Sequence, residues 1–116
     1  MQSEQYEKII ATFYEEGTTS ETMFVGLASE VGEVMSERVK ETRRGAECSE
    51  EILDELSDVL FYVTSIAVSR GGSLEKLMNH NVNKLIEREA FGKVEKRKCK
   101  CIMCGVETDD TLCGLC

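Results

Sequence analysis

Proline and tryptophan are missing from this sequence, histidine occurs once, and aromatic residues make up only 6% of it. Without proline, and with little strand-like alternation, the periodic segments compete only for assignment as helix. With a single histidine, carboxylates and thiolates are left as the metal ligands; His80 itself reads as a surface residue of a helix. Long apolar runs are also missing. None approaches the roughly 18 residues of a membrane span, and the start Met1-Gln2-Ser3-Glu4 lacks the basic-then-apolar layout of a signal peptide. A cytoplasmic protein without membrane contact is therefore expected. Positive charge is scarce too: 14 basic side chains stand against 22 acidic ones, for a formal charge of −8. That balance argues against a surface that tracks a phosphate backbone throughout and leaves room only for a local basic patch.

What is present is a chain of 116 residues, enough for one small domain and a short appendage. Four helices are expected. The first spans about 3–16, with Tyr6, Ile9, Ile10 and Phe13 on one side and Gly17 as its stop. Thr18 and Glu21 offer a capping box for the second, which runs to about Thr42 before Arg43-Arg44-Gly45. Ser49 offers a cap to the third, from about Glu50 to Ser69, closed by Arg70-Gly71-Gly72. Ser73 can cap the fourth, which points Leu74, Leu77, Met78, Val82, Leu85 and Ile86 inward and fades near Phe91-Gly92. Together these predict an all-α four-helix bundle over residues 1–92, marginally stable alone and gaining core by self-association, so a homodimer or homotetramer is expected.

Pairs of acidic residues at i,i+3 lie on one helix face and can share a cation. Such pairs recur along this acidic chain, and most are solvated charge. Two are distinguished by their phase against the apolar stripe. On the second helix Phe24, Leu27, Val31 and Val34 form the stripe, with Glu30, Glu33 and Glu37 along its edge. On the third, Ile52, Leu56, Val59, Val63 and Ile66 are flanked in the same way by Glu55, Asp58 and Tyr62. Packed antiparallel, the two helices would bring Glu30, Glu33, Glu55 and Asp58 to one partly buried place, where like charges repel unless divalent cations neutralise them. Glu37 either joins that site or stays in water. Hard oxygen donors favour magnesium or manganese, and with them phosphoryl or nucleotidyl transfer to water. The alternative is an ordinary charged surface.

The stretch Gly26-Leu27-Ala28-Ser29-Glu30-Val31-Gly32-Glu33-Val34 resembles the first E-x-x-E motif of the MazG-type, all-α nucleoside triphosphate pyrophosphohydrolases. Ile52 to Tyr62, with Glu55 and Asp58, resembles their E-x-x-D helix. Asn81-Val82-Asn83-Lys84-Leu85-Ile86-Glu87-Arg88 is similar to their N-x-x-K-L-x-x-R. The resemblance covers about residues 21–88. It implies magnesium-dependent cleavage of an NTP or dNTP between the α- and β-phosphates, yielding a nucleoside monophosphate and pyrophosphate, for nucleotide clearance or pool control. By the same resemblance Glu30, Glu33, Glu55 and Asp58 bind magnesium, with Glu30 the preferred base toward water. Lys84 and Arg88 meet the triphosphate, and Asn81 and Tyr62 lie near the substrate. Two features depart from the family. Tryptophan, which members reading a pyrimidine often use, is absent, and Arg88 leads into Glu89-Ala90-Phe91 where the family has R-Y-P. Cleavage of an alarmone or another phosphoanhydride remains open.

Five of the six cysteines fall between Cys99 and Cys116. Cys101-x-x-Cys104 and Cys113-x-x-Cys116, eight residues apart, have the spacing of a four-thiolate structural zinc site of the knuckle or ribbon type, with Gly105 and Gly114 at its turns. Cys99 either replaces Cys101 or lies outside the site, and Cys48 reads as a free thiol. Residues 93–98 form a basic linker, and 99–116 the zinc-binding tail. The tail serves as a small cap or oligomer contact, or else docks nucleic acid or protein beside its basic linker. A non-catalytic helical oligomer that binds through this tail is the competing function.

Overall fold

The computed structural model describes residues 1–90 and, in the C-terminal tail, Cys99–Lys100 and Glu107–Thr108. Its four helices are α1 (Ser3–Ala11), α2 (Ser20–Arg44), α3 (Ser49–Ser69) and α4 (Leu74–Ala90). Contacts group the chain into two compact units, Met1–Met78 and Asn79–Cys116, with α4 running through the division. In the second unit, β1 (Cys99–Lys100) pairs antiparallel with β2 (Glu107–Thr108), Cys99 opposite Thr108 and Lys100 opposite Glu107. The expected zinc ligands Cys101, Cys104, Cys113 and Cys116 lie outside the described residues.

Local chemistry sets the helix ends, in places one register away from the sequence-based expectation. α1 stops at Ala11 and not near Glu16, because the Thr12 hydroxyl turns back to donate to the Ile9 carbonyl at 2.7 Å and the chain leaves the helix. The cap of α2 is Thr19, not Thr18: the Thr22 amide donates to the Thr19 hydroxyl at 3.3 Å while the Thr19 amide donates to the Thr22 hydroxyl at 2.9 Å. Gly45, at φ 64°, ends α2 in the left-handed region, its amide donating to the Glu41 carbonyl at 2.9 Å. Ser49 is the first residue inside α3, and the capping position falls to Cys48. The Cys48 amide is held by the Glu41 carboxylate at 3.1 Å, and its thiol is buried and free. Ser73 does cap α4, accepting from the Lys76 amide at 3.1 Å, and the Glu7 carboxylate of α1 accepts from the Leu74 amide at 2.7 Å.

In the first unit α2 and α3 form an antiparallel hairpin, with α1 laid against α3. Small polar residues make close packing possible there. Thr64 and Ser65 are buried, and each donates its hydroxyl proton to the carbonyl four residues earlier, Leu60 at 2.8 Å and Phe61 at 2.7 Å, so neither is left unsatisfied.

The seam between α2 and α3 keeps the predicted stripe at Leu27, Val34, Ile52, Val59, Val63 and Ile66 and departs from it at three positions. On α2 Met23, Gly26, Glu30 and Glu37 are covered beside Leu27 and Val34, whereas Phe24 and Val31 are nearly half exposed. On α3 Glu55 is covered and Leu56 is not. The apolar residues Leu77, Met78, Val82, Leu85 and Ile86 of α4 are likewise exposed and not turned inward. Amphipathic spacing identifies a face that favours leaving water, but it does not say which molecule covers it.

Candidate metal centre and adjoining cleft

Glu30 from α2 meets Glu55 and Asp58 from α3, and one carboxylate oxygen of each lies within 4.8 Å of the others. The hairpin register accounts for this. Gly26 and Tyr62 face each other where the helices come close, and a Cβ on Gly26 would overlap the Tyr62 ring. One turn along each helix from that contact stand Glu30 and Asp58, about 6 Å further on. Glu55 follows three residues from Asp58 on the same face. Glu33 is exposed and outside this group of three, although its negative charge acts on both Glu30 and Glu55.

The electrostatics are those of crowded, partly dehydrated anions. Burial is the main force raising the Glu30 carboxyl above its ordinary value, with the charges of Asp58 and Glu33 adding to it. Burial also leads for Glu55, followed by Glu33, Glu30, Asp58 and Asp54. Tyr6 of α1 is raised as well, by burial first, then by Tyr14 and Asp58, so α1 lies near enough to feel the cluster. Among the described residues the ion pairs are Lys8–Glu4, Arg38–Glu41 and Lys40–Glu37, and none touches Glu30, Glu55 or Asp58. Three hard oxygen donors, with no cation beside them among the described residues, make a donor set suited to a divalent metal ion.

Next to the cluster opens a cleft of about 380 Å³ between the loop after α1, the first turn of α2 and the second half of α3. Its aromatic wall is Phe13, Tyr14, Phe61 and Tyr62, with Met23 alongside. The Phe61 ring meets Tyr14 edge-on at 6.0 Å and Tyr62 at 5.2 Å between centroids, geometry that fixes aromatic rings in place. Sequence reasoning placed Tyr62 near a substrate but missed Phe13, Tyr14 and Phe61. A signal was there: of the chain's seven tyrosines and phenylalanines, four gather in two adjacent pairs.

Glu37 neither joins the metal cluster nor stays in water. It is 7% exposed and paired with Lys40. Asn81, Lys84 and Arg88 lie on α4 in the second unit, all exposed, at a spacing that lines them along one helix face. His80 is exposed on the same helix.

Carboxylates gathered at a helix seam beside a cleft are an arrangement that a divalent cation and a phosphate-bearing molecule can share, and the family comparison gives the class. The model of the MazG nucleotide pyrophosphohydrolase domain matches residues 18–91, well over half of the chain, and the chain belongs to that family. The match takes in both acidic helices and Asn81, Lys84 and Arg88, and it ends before the five C-terminal cysteines. Comparisons with curated proteins and with solved structures found no match. Among the described residues no helix is long and apolar enough to cross a membrane.

Proposed function

We propose that this chain hydrolyses nucleoside triphosphates, NTPs or dNTPs, to the nucleoside monophosphate and pyrophosphate in a magnesium-dependent reaction. The observation that carries the reading is the convergence of Glu30, Glu55 and Asp58, in a chain of this family. Glu55 and Asp58 hold the metal from α3 and Glu30 from α2, with Glu33 completing the set from the exposed side. A divalent cation bound there would neutralise triphosphate oxygens and make a neighbouring water more acidic. Glu30, across the seam from Glu55 and Asp58, orients that water and takes its proton. Tyr62 bridges the metal end and the cleft, and the cleft receives the nucleoside. Lys84 and Arg88, with Asn81, supply positive charge and hydrogen bonds to the triphosphate.

The exposed apolar residues support assembly into a homodimer or homotetramer. Burying a side chain such as Phe24, Leu56 or Leu85 is worth up to roughly 1.5–3 kcal/mol, which the single chain forgoes. The tail binds one structural zinc through Cys101, Cys104, Cys113 and Cys116, and residues 93–116 are dispensable for the chemistry. The protein works in the cytoplasm, where nucleotides and magnesium are found.

The test is product analysis. An NTP and dNTP panel incubated with the protein should yield monophosphate and pyrophosphate with magnesium and nothing without it. Release of orthophosphate and a diphosphate would contradict the reading, as would metal-independent turnover.

A further inference from the structure

The serine and threonine hydroxyls of the residues that line the cleft beside Tyr62 all donate to the chain's own carbonyls. Thr18 donates to the Glu15 carbonyl at 2.7 Å, Thr22 to the Thr19 carbonyl at 2.8 Å, and Ser65 to the Phe61 carbonyl at 2.7 Å. A hydroxyl whose proton is committed offers a ligand only its lone pairs. Ser65 is 1% exposed, so its orientation is fixed by packing as well as by that bond. The other polar side chains at the rim, Glu15 and Glu16, are carboxylates and accept only. Among the lining side chains, donors remain only on Tyr14 and Tyr62.

We propose that this cleft selects guanine nucleotides, because guanine is the common base with adjacent N–H donors on its Watson–Crick edge. The inference rests on the reading of the cleft as the nucleoside end of a triphosphate site. The N1–H and 2-amino group of guanine match the two oxygens of a carboxylate, Glu15 or Glu16, in a paired, charge-assisted contact. A tyrosine hydroxyl is left to donate to O6. The ring stacks on the aromatic wall, which is indifferent to base identity and so leaves selection to the edge. Uracil and thymine present a single N–H between two carbonyls, so they give a carboxylate one donor where guanine gives it two. Hypoxanthine differs from guanine only in lacking the 2-amino group, which makes inosine nucleotides the sharpest comparison. A site built around a ligand's donors discriminates against an analogue lacking one, since its own acceptors are left unpaired.

The experiment compares kcat/KM for GTP, ITP and UTP with the full chain and magnesium, in wild type and in the double variant Glu15→Gln, Glu16→Gln. GTP should exceed ITP by about tenfold or more, UTP should be poorest, and the double variant should bring the GTP to ITP ratio toward one. A wild-type ratio near one, or a ratio the double variant leaves intact, overturns the inference. Calorimetric binding of GMP and IMP separates it from the reading it rests on. If no triphosphate is hydrolysed but GMP binds tighter than IMP, the selectivity stands and the pyrophosphohydrolase reading falls. Equal binding of the two removes the selectivity.

Discussion

The α2–α3 seam carries carboxylates at both ends, and the two ends treat them differently. Toward the loop that joins the helices, the buried Glu37 is paired with Lys40, and Glu41 takes Arg38 at 2.9 Å and the Cys48 amide at 3.1 Å. Toward the middle, Glu30, Glu55 and Asp58 crowd together with no cation on them among the described residues, and burial and mutual repulsion raise Glu30 and Glu55. Both ends pay for removing charge from water. Among the described residues only the loop end is neutralised by side-chain cations, so its acids hold the turn in shape. The central end has no such partner among them, which is the condition for an external cation.

The largest expected effect comes from breaking the central end. Glu55→Gln or Asp58→Asn should lower turnover about a thousandfold or more, corresponding to the several kcal/mol a metal contributes to a phosphoryl transition state. Circular dichroism should show an unchanged helical fold, and a fully active variant would remove these residues from the site. Gly26→Ala tests the register that brings the central acids together. Its methyl overlaps the Tyr62 ring, and overpacking of about 1–3 kcal/mol outweighs the helix propensity gained, for a net loss near 1–2 kcal/mol in urea unfolding. Gly32, where an added methyl meets nothing, supplies the control: Gly32→Ala should stabilise by about 0.5–1 kcal/mol.

Lys40→Met makes the loop end resemble the central one by leaving Glu37 buried without its cation. The melting temperature should fall by a few degrees while magnesium dependence survives. The smallest effect is with pH. Glu30 and Glu55 have folded pKa values above the ordinary 4.5, so their contribution to stability is complete below that value and is lost as pH rises through the raised ones. The metal-free melting temperature should therefore gain a degree or two, roughly, on acidification from pH 7 to 5 relative to Asp58→Asn. Magnesium should raise it most at pH 7 and progressively less toward pH 5, because protons compete for the same oxygens.

Much of this was legible in the sequence. Four helices, their breaks at Gly45 and Gly71, and the Ser73 cap follow from periodicity and turn chemistry, and the antiparallel meeting of Glu30 with Glu55 and Asp58 follows from the shared phase of the two acidic helices. The seam departs from that phase at three positions. Phe24, Val31 and Leu56 look like core residues because they are apolar, yet the seam runs through Gly26, Glu30, Glu37 and Glu55. Hydrophobicity ranks side chains by their preference for leaving water, and a chain that buries acids for chemistry or for a turn inverts that ranking locally. The cleft was illegible for another reason. Thr12 ends α1 early and frees Phe13 and Tyr14 into a loop, and a one-turn shift of a helix end decides whether an aromatic residue joins a core or lines a cavity.

The contrast between the two ends is tested most directly by manganese binding, followed by electron paramagnetic resonance in wild type, Lys40→Met and Glu55→Gln. Wild type and Lys40→Met should bind manganese with similar affinity, and magnesium should displace it, while Glu55→Gln should bind at least about tenfold more weakly. Retained binding in Glu55→Gln together with loss in Lys40→Met would place the cation at the loop end of the seam and contradict the account.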